Sequence, residues 1–96
     1  MLNFKHLFYF YVVSQEGSIK LAAEKLHVSQ PTISDQIRLL EEYFDCKLFH
    51  RKNRSLQLTK AGLAAQKTAE RVFEISNDLT YRLRNQVELP KKSVDI

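Results

Sequence analysis

Residues 18–44 read SIKLAAEKLHVSQPTISDQIRLLEEYF, from Ser18 to Phe44. Two helix starts are written into this stretch. Ser18 stands where an N-cap belongs, its oxygen placed to accept from a backbone N–H of the first turn. Ile19, Ala22, Ala23 and Leu26 then recur at helical spacing as an inner face. The small Ala22-Ala23 pair lets another helix approach closely. His27 and Val28 make a turn, and Ser29 caps a second helix. Pro31 falls in its first turn, where a missing N–H costs nothing. Val28 and Ile33 occupy the two positions of a hydrophobic staple. Ile33, Ile37, Leu40 and Phe44 share one side. Pro31, Asp35, Arg38 and Glu42 lie opposite, with Gln30 and Ser34 beside them. The pattern is a helix-turn-helix whose second helix buries one side and offers hydrogen-bonding groups on the other.

The flanks complete the unit. Upstream, residues 4–16 form a first helix in which Phe4, Leu7, Phe8 and Tyr11 keep helical spacing. Phe10, Val12 and Val13 make it apolar on further sides, so it is expected to be covered on more than one face. Its aromatic rings are read as packing under a long helix, not as base-stacking platforms. Gly17 suits the left-handed position after its end. Downstream, Leu48–Arg51 and Ser55–Leu58 read as two short strands around Lys52-Asn53-Arg54. Leu56 and Leu58 alternate with Ser55 and Gln57, as in a half-buried strand. Arg51, Lys52 and Arg54 crowd the hairpin tip.

Charge singles out this hairpin. The fourteen residues Lys47–Lys60 (KLFHRKNRSLQLTK) hold five of the fifteen basic residues and no acidic one. The whole chain is +4, so the other 82 residues net −1. Focused positive charge beside a helix-turn-helix is a nucleic-acid footprint, and the isoelectric point near 9.3 agrees.

Thr59 caps a last helix, with Leu58 and Leu63 as its staple. Apart from Gly62, no Gly or Pro interrupts it before Pro90. Thr59 to Glu88 makes about 45 Å of helix at about 1.5 Å per residue. Ala65, Val72 and Leu79 recur every seven residues, with Ala69, Ser76 and Leu83 interleaved. This seam of small residues followed by larger ones suggests packing on its own domain first and on a partner chain further along. The expected organisation is a winged helix-turn-helix over 1–58, a linker and dimerisation helix over 59–88, and a flexible tail over 89–96. Val72, Leu79 and Leu83 are the dimerisation candidates.

Composition excludes other classes. Ninety-six residues with 44% hydrophobic content make one domain and are too apolar for disorder. Cys46 is the only cysteine, which rules out an internal disulfide and fits a reducing cytoplasm. It reads as a small, semi-buried apolar residue. His6, His27 and His50 are scattered without ligand spacing, so neither a metal nor a cofactor is expected. The apolar run Leu7–Val13 is far too short to span a membrane. No nucleophile–base pair or carboxylate pair stands at a usable spacing, so the chain does not read as an enzyme.

A recognition helix fits the major groove, where each base pair shows a distinct donor and acceptor pattern. Its N-terminal residues do the reading, which nominates Gln30, Pro31, Ser34, Asp35 and Arg38. Gln pairs with adenine, Arg with guanine, and Asp accepts from cytosine N4. Arg51, Lys52 and chiefly Arg54 suit the minor groove, whose negative potential attracts guanidinium. Ser18, Lys20, Ser29 and Thr32 suit phosphates, aided by helix N-termini. Gln36 reads either as a tie to backbone or phosphate or as a reader.

Across nearly its full length the chain resembles the N-terminal domain of LysR-type transcriptional regulators. The resemblance rests on Phe4, Phe8, Gly17-Ser18, Ala22-Ala23 and Leu26, then on Ser29-Gln30-Pro31-Thr32-Ile33-Ser34, Gln36-Ile37 and Leu40-Glu41. Leu48-Phe49, Arg51, Leu58-Thr59 and Ala61-Gly62 complete it. The residues 6–26 and 47–58 also resemble the sodium/proton-antiporter regulator subgroup. The resemblance implies that Gln30, Pro31, Ser34 and the residue at 35 face bases, and that Arg51–Arg54 face the minor groove. It also implies a homodimer through the helix from Thr59, bound to double-stranded DNA at an inverted repeat in the bacterial cytoplasm. Asp35 departs from the commoner basic or neutral polar residue, and Lys20 stands where a small hydroxyl residue is frequent. The family carries an effector-binding domain of about 200 residues beyond the linker helix. An isolated DNA-binding part that senses no small-molecule effector is therefore expected here. The competing reading is a winged-helix protein-interaction module, which needs neither an Arg-rich wing nor a Gln-Pro-Thr helix start.

Overall fold

The computed structural model describes residues 1–52 and 55–85. Its elements run α1 (Phe4–Glu16), α2 (Ile19–Leu26), α3 (Gln30–Phe44), β1 (Phe49–Lys52), β2 (Ser55–Leu58) and α4 (Lys60–Arg84). The two strands pair antiparallel, with Phe49 opposite Leu58 and Lys52 opposite Ser55. The fold is the expected winged helix-turn-helix with a long trailing helix. Strand β1 starts and ends one residue later than the sequence pattern suggests.

Each helix begins on a side-chain oxygen. Asn3 accepts from Lys5 N–H at 2.9 Å, Ser18 from Leu21 at 3.1 Å, Ser29 from Thr32 at 3.2 Å and Thr59 from Gly62 at 2.9 Å. Each such cap is worth about 1 kcal/mol. Three helices end on a left-handed residue: Gly17, His27 and Asp45, with φ of 73°, 58° and 56°. Gly17 was expected there. His27 and Asp45 pay the side-chain penalty, and their helices close with Val28 N–H to Ala23 O at 3.1 Å and Cys46 N–H to Glu41 O at 3.2 Å.

Helix α1 is the centre of the core. Phe10 and Val13 are fully buried against Ala22 and Ala23 of α2 and Ile33 and Leu40 of α3. Its other side meets α4, where the Phe4, Phe8 and Tyr11 rings surround Phe73 at centroid distances of 4.8, 5.3 and 5.5 Å. Gln66 Nε2 donates to Ser14 O at 3.3 Å alongside them. Phe4, Phe8 and Tyr11 thus pack beneath α4, while Phe10 faces the opposite side. Ala61, Ala65, Ala69, Val72 and Phe73 seat the first half of α4 on the core. Its second half is bare, with Ile75, Leu79 and Leu83 all more than half exposed. Asn85 caps it by donating to Tyr81 O at 2.9 Å. Residues 86–88 of the expected helix and the expected tail 89–96 lie outside the described residues, as does Arg54.

The root of the wing is tied from both sides. Glu41, with a side chain only 13% exposed, accepts from Leu48 N–H at 2.8 Å and Phe49 N–H at 3.3 Å through one oxygen. Its other oxygen lies 3.7 Å from Lys47 Nζ. Thr59 donates its N–H to Leu48 O at 3.0 Å and its hydroxyl to Lys47 O at 2.7 Å. The first turn of α4 then presses on the same strand. A Cβ on Gly62 would overlap the Leu48 carbonyl and lie 2.9 Å from Leu58 Cδ2.

Helix propensity alone makes Gly62→Ala a gain of about 1 kcal/mol. The overlap with Leu48 reverses that sign. The variant is expected to lose about 2–3 kcal/mol in urea denaturation followed by circular dichroism. An unchanged or raised midpoint would show that the root of the wing yields.

Candidate nucleic-acid interface

Two adjoining clefts are built where the first turns of α2 and α3 meet the wing. The first, of about 310 Å³, is walled by Ser18 at the start of α2, Gln30 at the start of α3, and Arg51 and Ser55 from the two strands. The second, of about 430 Å³, lies between α3 and β1. Ser34 and Arg38 line one wall, and Lys47, His50 and Arg51 the other. Ile19, Leu56 and Arg51 border both.

Arg51 is therefore not a tip residue, as the sequence pattern suggested. It alternates with His50 along β1, shares the strand face of the half-buried Phe49, and pairs across the ladder with Leu56. It borders both clefts. Lys52 ends β1 in the exposed position opposite Ser55, whose hydroxyl donates to Lys52 O at 2.7 Å.

The structure brings Ser18, Gln30 and Arg51 together in one cleft and Ser34, Arg38 and Arg51 in the other. Gln30, Pro31, Ser34 and Asp35 are all exposed on α3. Ser29 Oγ serves chiefly as a cap, and it also lies 2.8 Å from Thr32 Oγ1, so the two hydroxyls form one exposed pair at the helix start. Lys20 is exposed on α2 but lines neither cleft. Gln36 turns its Oε1 inward, where no donor among the described residues meets it.

Arg38 is held more closely than its spacing alone revealed. Its Nη2 donates to Asp35 Oδ1 at 2.8 Å and its Nη1 to Glu42 Oε2 at 2.7 Å. The Asp35 hydrogen bond first, then that of Glu42, raises the guanidinium pKa above its already high ordinary value. Arg38 is cationic throughout the working range.

The sequence reading gave no site role to Glu41, Lys47, His50 or Ser55. The hairpin alternation was the available signal for His50 and Ser55. Nothing local marks Glu41, whose partners lie seven and eight residues on. Cys46, read as semi-buried, is exposed. The left-handed turn at Asp45 carries the chain outward there. Among the described residues no cluster of His, Cys, Asp or Glu could hold a metal ion, and no helix is long and apolar enough to cross a membrane.

Comparison with known proteins agrees with this geometry. The family described as bacterial regulatory helix-turn-helix protein, lysR family, matches residues 4–63. The transcriptional activator protein NhaR of Escherichia coli (strain K12) is 41% identical over 78 residues, which is 81% of this chain and 26% of NhaR. The chain thus spans about a quarter of the length of such relatives. The DNA-binding domain of CbnR, solved in complex with DNA, superposes with a TM-score of 0.79 at 36% identity, over 90% of this chain and 99% of that one. The DNA-binding domain of BenM, solved on catB site 1 DNA, gives 0.84 at 29% identity over 90% and 96%. A helix-turn-helix, a wing rooted on α3 and α4, and a family match over these same elements place this chain in the LysR family of bacterial regulatory proteins.

Proposed function

We propose that this chain is the sequence-reading DNA-binding part of a bacterial LysR-type transcriptional regulator. The observation that carries this reading is the pair of clefts, in which the first turn of α3 and a strand arginine converge beside exposed Gln30, Pro31 and Ser34. The superposition on two LysR DNA-binding domains solved on DNA supports it. Helix α3 enters the major groove, with Gln30, Pro31, Ser34, Asp35 and Arg38 toward base edges. The wing, with Lys52 and Arg54, follows the flanking minor groove. Arg51, between wing and helix, grips the intervening backbone together with Ser18, Lys20, Ser29 and Thr32 at the helix starts. None of these roles is catalytic, and the chain acts without a cofactor in the bacterial cytoplasm.

Dimerisation follows from α4. Val72 is already half-buried on its own core, which leaves Leu79 and Leu83, with Ile75, as the bare apolar surface. Covering one such side chain contributes about 1.5–3 kcal/mol. The exposed Arg82–Asp78 ion pair beside them contributes about 0.3–0.5 kcal/mol. Apolar contact between copies therefore outweighs charge along this stretch. Two-fold symmetry then predicts an inverted repeat with half-sites about one or two helical turns apart.

Selection of bound duplexes from a random DNA pool is expected to recover such a repeat at fixed spacing. Binding that barely responds to salt would favour a protein-interaction module, because phosphate contacts release counterions. Arg51→Ala is expected to lower the slope of log affinity against log salt by about one. Gln30→Ala is expected to cost about 1–3 kcal/mol at one base position and leave the slope alone. A uniform loss across sequences would make Gln30 a positioning group. Leu79→Asp is expected to shift sedimentation from dimer to monomer. A mass that stays dimeric would place the seam elsewhere.

A further inference from the structure

Charge is divided unevenly across the interface. Within α3 the acids Asp35, Glu41 and Glu42 stand against a single base, Arg38. Glu41 turns away to the Leu48 and Phe49 amides. Asp35 and Glu42 remain on the surface, 59% and 61% exposed, and flank Arg38 at 53%. This exposed trio carries a net negative charge. Apart from Arg38, the cations of the interface lie off α3, at Lys20, Lys47, Arg51 and Lys52. A carboxylate carried into a groove meets phosphates on both strands and gains none of the counterion release that rewards Lys and Arg. Arg38 cannot offset this as a free phosphate clamp while two carboxylates share it. Exposed pairs at this spacing are weak, however, so a base can draw Arg38 away. Two of its five N–H groups are engaged, which leaves three to donate.

We propose that Asp35 is a specificity-determining residue that screens out DNA of arbitrary sequence. Its carboxylate opposes placement of α3 in any major groove that offers it no hydrogen. It is accepted where a base presents an amino group, cytosine N4 or adenine N6, at its position. Arg38, beside it, then meets an acceptor such as guanine N7 or O6. Phosphate grip is left to the strands and helix starts, and discrimination to α3. Glu42 lies seven residues beyond Asp35, about 10 Å along the axis, too far to read the same base pair. It adds repulsion without selectivity. This inference rests on the proposed placement of α3 in the major groove and names which of its residues sets the preference.

The test compares the intact chain with Asp35→Asn and Glu42→Gln by fluorescence anisotropy. Two probes are used, a random-sequence duplex and the duplex recovered by selection, each at two salt concentrations. Both substitutions are isosteric and at exposed positions, so the fold is kept. Asp35→Asn is expected to bind the random duplex about three- to tenfold more tightly and to lose about tenfold in its preference for the selected one. Glu42→Gln is expected to tighten both by a smaller, equal factor. An unchanged preference in Asp35→Asn, or weaker binding to both probes, overturns the role of Asp35. If the unsubstituted chain binds with the expected salt dependence, only the screening role falls. If it binds neither probe at any salt, the DNA-binding reading falls and takes this inference with it.

Discussion

Leu48 is the residue on which the arrangement depends. Its N–H is taken by Glu41 of α3, its C=O by Thr59 at the start of α4, and its side chain is 1% exposed. Gly62 lies against its carbonyl so closely that no side chain fits. Three elements are therefore fixed at one residue: the recognition helix, the wing and the long helix. A two-stranded hairpin of four-residue strands has little stability of its own. Its direction relative to α3 must come from its root. Hydrogen bonds to an ionised carboxylate are worth about 1.5–3 kcal/mol, more than the exposed ion pairs along α3 and α4. Glu41 thus holds the wing more firmly than any surface pair could.

Function follows from that rigidity. Arg51 reaches the clefts only because β1 leaves Leu48 in a set register, with Phe49 turned onto Phe10 at a centroid distance of 5.2 Å. A one-residue slip would send His50 to that position and Arg51 away from it. The same root fixes where α4 leaves the domain, and with it the placement of Leu79 and Leu83. The direction of the wing and the course of α4 are in this way coupled through one backbone position.

Much of this was legible in the sequence because it is local. Ser18, Ser29 and Thr59 announce helix starts within three residues of the amides they cap. The apolar spacing of Ile33, Ile37 and Leu40 reports the buried side of α3, although Phe44 at the end of that row is 41% exposed where the helix runs past the core. Gly17 declares its left-handed turn. What was not legible depends on contacts far along the chain. Gly62 reads as a permissive interruption near a helix start, yet the backbone of Leu48 is what requires it. Glu41 reads as one more acid on a charged helix, and only the fold brings the Leu48 amide to it. His27 and Asp45 take left-handed turns usually given to Gly, so neither position stands out. The Asp35, Arg38 and Glu42 spacing was visible on the helical wheel, but each was read as a separate surface group. Their mutual hydrogen bonds turn three candidate contacts into one unit. The seam on α4 was legible as a repeat whose first part packs on its own domain, but Phe73, which lies off that repeat and gathers three rings of α1, was not.

Hydrogen exchange at the Leu48 amide tests the central claim most directly. If Leu48 is the tie between α3, the wing and α4, its amide opens only when the domain unfolds. It is then expected to exchange as slowly as the core amides of α1 and α3. Exchange at Leu48 as fast as at a frayed strand end, with the Phe10 and Leu40 amides still protected, would contradict the account.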